Sequence, residues 1–175
     1  MTNDHHILMA RSLFLIPGMI LLTIFLQSCG IYSFTGASTS AKTITIRYFQ
    51  NNSPLVNPTL SQVFTDALKD KFVSQTTLDL VPRGGELILE GNIINYETQP
   101  VAIQGNETAA LNRLTITVHV KFTNTVEDNH DFETNFTEFK EYSSSKSLSE
   151  VQDDLIKSIN DLLVEDIFNK AVVNW

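Results

Sequence analysis

The amino-acid sequence predicts an α+β fold: a two-layer sandwich in which a mostly antiparallel, four- to five-stranded sheet has two helices packed on one face. Three observations predict it. Residues 114–123 alternate strictly between apolar and polar side chains, which is the period of a half-buried strand. Residues 60–72 and 148–167 repeat apolar side chains at helical spacing. The elements follow one another as strand, helix, three or four strands, helix, an order typical of an α+β sandwich.

The strands are predicted from this alternation. The first covers residues 43–49 and places Ile44, Ile46 and Tyr48 on one face. The clearest strand has Leu114, Ile116, Val118, Val120 and Phe122 on its apolar face, and Thr115, Thr117, His119, Lys121 and Thr123 on its polar face. Further strands are predicted at Leu78–Val81, Leu87–Tyr96 and Phe132–Tyr142, with a strand–strand loop near residues 97–112.

Both helices carry sequence signals for their first turns. Asn57 precedes the first helix, and Pro58 takes its predicted first position, where the fixed backbone angle of proline suits a helix. Ser147 and Glu150 have the spacing of a capping box, in which the two side chains satisfy free backbone amides. The apolar stripes consist of Leu60, Val63, Phe64, Ala67, Leu68 and Phe72 in the first helix, and of Leu148, Val151, Leu155, Ile159, Leu162, Leu163 and Ile167 in the second. We expect Ile116, Val118 and Val120 to be buried beneath Leu155, Ile159 and Leu163.

The N-terminal region has the pattern of a lipoprotein signal peptide. Residues 12–28 carry no charge and follow Arg11, and the apolar part is short for a membrane-spanning helix. The end of this run, Leu26-Gln27-Ser28-Cys29, resembles a bacterial lipobox, which predicts acylation of Cys29 and removal of residues 1–28. A buried free thiol, or a cysteine after a membrane helix, is the alternative. Translation starts at Met1 or Met9.

Composition bounds what the mature chain does. Residues 29–42 are rich in serine and threonine and are predicted to be a lipidated N-terminus and tether, followed by one domain at residues 43–175. The net charge of -8 argues against nucleic acid as a partner, because phosphate binding needs lysine and arginine. Cys29 is the one cysteine, so no disulfide within the chain is expected.

The sequence contains no recognisable catalytic or metal-binding constellation, and we expect no enzyme activity, no metal and no cofactor. His119 and His130 are isolated, and His119 on a polar strand face is expected to be a solvated surface residue. Gly84-Gly85 lacks the lysine of a phosphate-binding loop and precedes a strand, which indicates a turn. The acidic pairs of the last helix, such as Asp153-Asp154, are typical of a solvated face.

Several short motifs occur in order along the mature chain. They lie at Cys29–Gly36, Gly84–Leu87, Glu90–Ile93, Tyr96, Pro100–Ile103, Ala109–Ile116 and Phe132–Phe139. Together they resemble a divergent branch of the LptE family, the outer-membrane lipoproteins of lipopolysaccharide assembly. The resemblance covers residues 29–175 and agrees with the predicted order of strands and helices.

The resemblance implies a non-enzymatic role at the periplasmic face of the outer membrane, anchored by acyl chains on Cys29. LptE proteins plug the LptD β-barrel and help it to assemble, so an LptD-like barrel is the implied partner and lipopolysaccharide a further one. The alternatives are a generic periplasmic binding or scaffold module of another envelope complex and, as a third class, a lipid-anchored hydrolase.

The resemblance also implies candidate contact residues. Family members bind lipopolysaccharide through basic residues near a strand–strand loop, but residues 97–112 contain no lysine or arginine. The remaining basic candidates are Arg83, Arg113 and Lys121. The candidate contacts to the barrel are Pro100, Ile103, Asn112, Thr115, Thr117 and His119.

Overall fold

A computed structural model describes residues 40–55, 57–101, 110–127 and 130–173, which lie within one compact unit of residues 36–175. The described residues form a mixed sheet and two helices, which confirms the predicted α+β class. The signal peptide, Cys29, most of the tether and Ile103 lie outside the described residues. The elements are β1 (Thr43–Ile46), β2 (Gln50–Asn51), α1 (Leu60–Gln75), β3 (Asp79–Leu80), β4 (Leu87–Val101), β5 (Leu111–Asn124), β6 (Phe132–Ser143) and α2 (Leu148–Phe168), followed by a π-helical turn (Asn169–Val173).

The three longest strands, β4, β5 and β6, form an antiparallel meander. β5 pairs with β6 in one continuous register, from Leu111 opposite Ser143 to Phe122 opposite Phe132. The β4–β5 pairing contains a bulge between Ile93 and Asn95, a feature that increases the local twist of a sheet. The predicted loop at residues 97–112 is wrong at both ends, because pairing continues to residue 101 and resumes at residue 111. Residues 97–100 are all exposed, so the extension of β4 shows no alternation between buried and exposed side chains.

The other edge of the sheet is parallel. β1 lies between β3 and β4 and is parallel to both, and β2 runs parallel to β4 further along. The prediction of one strand over residues 43–49 is therefore wrong beyond Ile46. The chain leaves the regular pairing there, so Tyr48 is 55% exposed while Phe49 is fully buried, with its ring against Phe64 at 5.3 Å between centroids. The buried N–H of Phe49 donates to Thr65 Oγ1 at 3.1 Å. This bond holds Phe49, and not Tyr48, toward the core.

The connection from β3 to β4 crosses over β1. β3 and β4 flank β1 at the same level, since Leu80 and Leu87 both lie beside Ile44. Gly84, at a φ of 70°, lies in the turn. Gly85 comes so close to the backbone of β1 that a Cβ there would lie 2.6 Å from the nitrogen of Thr45. Glycine is therefore required at residue 85 for steric reasons, because a larger residue would push the β3–β4 connection away from β1.

The observed start of α1 differs from the predicted one, whereas the observed start of α2 confirms its prediction. Asn57 Oδ1 accepts the N–H groups of Thr59 and Leu60, both at 3.0 Å, so the helix begins at Leu60 and Pro58 is wrongly predicted as its first residue. At α2 the capping box is present, with the Ser147 N–H donating to Glu150 Oε2 at 2.7 Å. The hydroxyl and N–H of Ser147 hold the pKa of Glu150 below its ordinary value. None of the helices in the described residues has both the length and the apolar character that crossing a membrane requires.

Both helices pack onto one face of the sheet to enclose a single hydrophobic core. Ile116, Val118 and Val120 are fully buried, as predicted, in one cluster with Ile159 and Leu163. Two predicted members of the helix stripes are instead exposed: Val63 by 42% and Leu162 by 38%. Each lies on the side of its helix away from the residues that meet the sheet, because the buried face is narrower than the apolar pattern.

Candidate functional site

The face of the β4–β6 meander opposite the core is polar and is not covered by the helices. On β5 it carries the candidate contacts Thr115, Thr117 and His119, all partly exposed. Antiparallel pairing sets each of them beside an exposed residue of β6: Thr115 beside Phe139, Thr117 beside Thr137, and His119 beside Asn135. We call the outward side chains of these two strands the polar face.

Side chains of the polar face bond to one another across the strands. The hydroxyl oxygens of Thr117 and Thr137 are 3.0 Å apart. His119 Nδ1 lies 2.9 Å from Asn135 Oδ1, and its Nε2 lies 3.1 Å from Glu133 Oε1. These bonds hold His119 as a hydrogen-bonded surface residue, and no cluster of three metal-ligating side chains occurs among the described residues.

The end of the polar face nearest the β4–β5 connection is built around Arg113. Its guanidinium donates to Glu141 Oε1 from Nε at 3.1 Å and from Nη2 at 2.6 Å. The same guanidinium lies over the ring of Phe139, 4.1 Å from the centroid, at a distance where cation–π attraction operates. Arg113 is thus engaged by an anion and a ring, although its side chain remains 41% exposed.

Lys121 lies further along β5 and also has an acidic neighbour. Its Nζ is 3.7 Å from Glu90 on β4, and Glu90 also accepts a contact from Arg47 at 3.1 Å. These residues border a shallow pocket of about 330 Å³ that includes His119 and Glu133. Charges of both signs alternate here, so this part of the surface is not a purely basic patch.

Arg83 lies in a groove beside the parallel edge of the sheet, and this groove shares Arg47 and Tyr48 with the pocket that Lys121 borders. The groove has a volume of about 810 Å³. Its apolar lining includes Tyr48, Leu80 and Pro82, and its basic residues are Arg47, Lys69 and Arg83. Lys69 lies 3.9 Å from Asp66, whereas Arg83 makes no ion pair with any residue that the structure describes. We call this surface the basic groove.

The structure does not bring the three basic candidates together. Arg113 and Lys121 are eight positions apart on one strand, a distance of roughly 26 Å at the rise of a strand. Arg83 lies in the β3–β4 connection, near the end of the sheet where β4 begins. A ligand of modest size would therefore not contact Arg113 and Lys121 together.

The candidate barrel contacts are also divided between the two faces of the sheet. Pro100 and Asn112 are paired opposite each other in β4 and β5, so they lie in strands and on one face. Strand alternation places Asn112 on the face of Leu114 and Ile116, opposite to Thr115 and Thr117.

Sequence reasoning missed two groups of residues. Arg47 and Lys69 reach the basic groove from different elements, and no local pattern connects either of them to Arg83. Glu133, Asn135, Thr137 and Glu141 complete the polar face from β6. Their signal was present in the alternation of β6, but the β5–β6 register was needed to pair them with β5.

The fold and this site define a class: a small α+β sandwich domain with one sheet face sealed by helices and the other open and polar. Residues 41–171 match the family model described as LptE, Lipopolysaccharide-assembly. The chain therefore belongs to the LptE family, a non-enzymatic family of lipopolysaccharide-assembly lipoproteins. No curated protein sequence matches the chain significantly.

Two solved structures show the same fold at low sequence identity. A minor lipoprotein from Acinetobacter baumannii is 14% identical, with 75% of this chain and 93% of that chain covered and a TM-score of 0.51. A hypothetical protein from Chlamydia trachomatis is 8% identical, with 77% of this chain and 100% of that chain covered and a TM-score of 0.52. At such identities the likeness extends to the fold alone.

Proposed function

We propose that this member of the LptE family works by binding, as a plug and assembly chaperone for an LptD-like outer-membrane β-barrel. The observation that carries the proposal is the polar face. Three long strands offer a stiff, hydrogen-bonded surface that the helices leave open, and its charges are arranged in pairs of opposite sign. Such a surface suits the polar wall of a wide barrel, because it brings few unpaired charges into a contact that excludes water.

Copurification with the barrel tests this proposal. Thr117→Arg places a long, charged side chain in the middle of the polar face, and we expect it to lower the amount of barrel recovered from detergent extracts. Ser158→Arg adds the same side chain to the exposed side of α2 and serves as the control. Most milder single substitutions should be tolerated, since binding energy concentrates in a few residues.

Depletion of the protein supplies a second test. We expect less correctly assembled barrel, and lipopolysaccharide retained at the inner membrane. If depletion leaves both unchanged, and no barrel copurifies with the unsubstituted protein, the plug proposal fails and a module of another envelope complex takes its place.

The proposal assigns direct contact with lipopolysaccharide, where it occurs, to the basic groove. Phosphate groups favour basic partners, and Arg83 makes no ion pair among the described residues, while Arg113 is held by Glu141 and Phe139. The apolar lining of the groove suits the adjoining hydrocarbon. We expect Arg83→Ala to weaken binding to lipopolysaccharide more than Arg113→Ala does; the opposite order would shift the contact to the polar face.

Anchoring at the periplasmic face of the outer membrane, through acyl chains on Cys29, completes the proposal. Cys29→Ala should abolish acylation and cleavage before residue 29. An unmodified mature Cys29 in a mass spectrum of the native protein would contradict the anchor. Digestion of the protein by protease on intact cells would contradict the periplasmic orientation.

A further inference from the structure

The outer edge of β6 is long, regular and unpaired among the described residues, since β6 is the last strand on its side of the sheet. Its ladder with β5 continues beyond the strands, where the N–H of Ser144 donates to the carbonyl of Ala110 at 3.0 Å. Because Ser144 is even-numbered, this bond shows which residues of β6 bond to β5. Even-numbered residues direct their backbone N–H and C=O groups to β5, and odd-numbered residues direct theirs to the unpaired edge. The outward residues are Glu133, Asn135, Thr137, Phe139 and Glu141.

The β6 edge lacks two devices that commonly prevent pairing between edges. It contains no proline, and its register with β5 has no bulge. Charged side chains are a third protective device, because they repel an incoming strand. Here the charges have both signs at closely spaced positions, with Glu138 two residues before Lys140. This order of charges disfavours pairing with most strands. It favours pairing with a strand that places a positive charge opposite Glu138 and a negative charge opposite Lys140.

We infer that two copies of this chain associate through their β6 edges, as antiparallel neighbours, with Phe139 on the two-fold axis. A two-fold axis through an antiparallel pair runs the second strand in the reverse order. In this register Glu138 faces Lys140 of the second copy, and symmetry repeats the pair. Phe139 faces its own equivalent. Opposite charges and aromatic pairs directly across two strands are the contacts that stabilise a sheet.

Neighbouring registers are less favourable because they oppose like charges. An axis at Thr137 sets Glu133 against Glu141 of the second copy, twice. An axis at Glu138 or at Lys140 sets a charged residue against itself. An axis at Phe136 sets Asp131 against Glu141. Among the axes at residues 136–140, the axis at Phe139 is therefore the one that opposes no like charges.

The residues nearest the axis of this register, Glu138, Phe139 and Lys140, are all at least partly exposed. None of the ion pairs among the described residues involves Glu138 or Lys140. Phe139 is 44% exposed, although Arg113 lies over its ring. Pairing at the edge extends the sheet and leaves the polar face uncovered, so the association does not depend on the barrel proposal.

Charge reversal tests the register in the full chain in detergent, with the dimer dissociation constant measured by analytical ultracentrifugation. Glu138→Lys alone and Lys140→Glu alone each create two like-charge pairs, and each should weaken the dimer about tenfold. The double variant, Glu138→Lys with Lys140→Glu, restores opposite charges and should return the constant to within about threefold of the unsubstituted protein. Circular dichroism confirms that each variant is folded.

Cysteine cross-linking tests the position of the axis. Phe139→Cys should form a disulfide-linked dimer on oxidation, because directly opposed residues of a bonded pair have Cα atoms about 5.5 Å apart. Thr137→Cys, on the same face of the same strand, is the matched control. Its two copies would lie about 13 Å apart, beyond the reach of a disulfide. The unsubstituted chain reports any background from Cys29.

Three results would overturn the inference. A chain that remains monomeric at the highest concentration has no such association. A dimer that is indifferent to Glu138→Lys does not use this edge. A folded double variant that stays as weak as the single variants, or a Thr137→Cys chain that cross-links as well as the Phe139→Cys chain, excludes the register.

Discussion

The two faces of the β4–β6 meander are made by the same strands, yet they differ in what holds them. On the covered face Ile116, Val118 and Val120 are completely buried under the helices, and the contacts are apolar. On the polar face Thr117 and His119 lie between these residues, and their partners are hydrogen-bond donors and acceptors of β6. The comparison teaches that alternate residues of one strand serve stability and recognition. A substitution on one face can therefore alter one of these properties and leave the other unchanged.

Adjacent residues of β5 provide the largest expected contrast. Val118→Asp places an unpaired charge in the core and should lower the free energy of unfolding by about 3–5 kcal/mol. Thr117→Asp, one position away on the polar face, should cost at most about 1 kcal/mol, the range of strand propensities. Urea denaturation of both variants measures the difference. Equal losses of stability would show that the two faces are not distinct.

Gly91 provides a smaller contrast, based on space. Its pairing with Val120 puts it on the covered side of β4, and a methyl group there would lie 2.0 Å from the carbonyl oxygen of His119 and 2.7 Å from the ring of Phe49. We expect Gly91→Ala to cost about 2 kcal/mol or more, because both strands must move. Gly84→Ala, which meets no atom within 4 Å but has a φ of 70°, should cost about 1 kcal/mol. Thermal unfolding of the pair would contradict the argument if Gly84→Ala were the more harmful.

Asn160 of α2 is a polar residue among the apolar contacts on the covered side of the sheet. Replacing it with an apolar residue should increase the difference between the two faces. It is 1% exposed, and neither its Oδ1 nor its Nδ2 has a hydrogen-bond partner among the described residues. Asn160→Leu should therefore raise the free energy of unfolding by about 1 kcal/mol. Asn160→Asp should lower it, since a charge would be buried. A destabilised leucine variant would mean that the amide is satisfied by a group not yet identified.

The smallest expected effect concerns pH and the outer side of the helices. Lys71 donates to Glu165 between α1 and α2, and this bond holds the pKa of Glu165 below its ordinary value of 4.5. A lowered carboxyl pKa stabilises the fold above the ordinary value, and the contribution is lost as the pH falls through the lowered one. Glu165→Gln should therefore be slightly less stable than the unsubstituted protein at pH 7, and the difference should shrink from about pH 4.5 downward and disappear once the pH is below the lowered pKa.

Denaturation at several pH values measures this effect. Glu97→Gln, at an exposed residue with no ion pair among those described, is the control and should show a smaller change. Because Glu165 is half exposed, solvent screening keeps the expected effect small. A difference that grows as the pH falls would have the wrong sign and would exclude the interpretation.

Local patterns predicted the features that depend on neighbours in sequence. The alternation of β5 gave its buried residues, and the spacing of Ser147 and Glu150 gave the start of α2. The failures lie where distant residues decide. Tyr48 was predicted to share a strand face with Ile44 and Ile46, but Phe49 is buried instead because it meets Phe64 and Thr65 of α1. Likewise, no periodicity reveals that β1 is parallel to β4 or that Arg47 and Lys69 meet at the groove of Arg83.

The position of β1 between β3 and β4 has a consequence for the order of folding. β4, β5 and β6 are joined by short connections, so their pairs close early and at little entropic cost. Ile44 must instead wait for Leu87, more than forty positions away, and for Leu80 on its other side. In a chain made from its N-terminus, β1 is the first of the described strands to appear and is therefore among the last to acquire partners. A strand with two isoleucines that are buried in the folded protein is left unpaired during that interval, which is when a chaperone would be needed most.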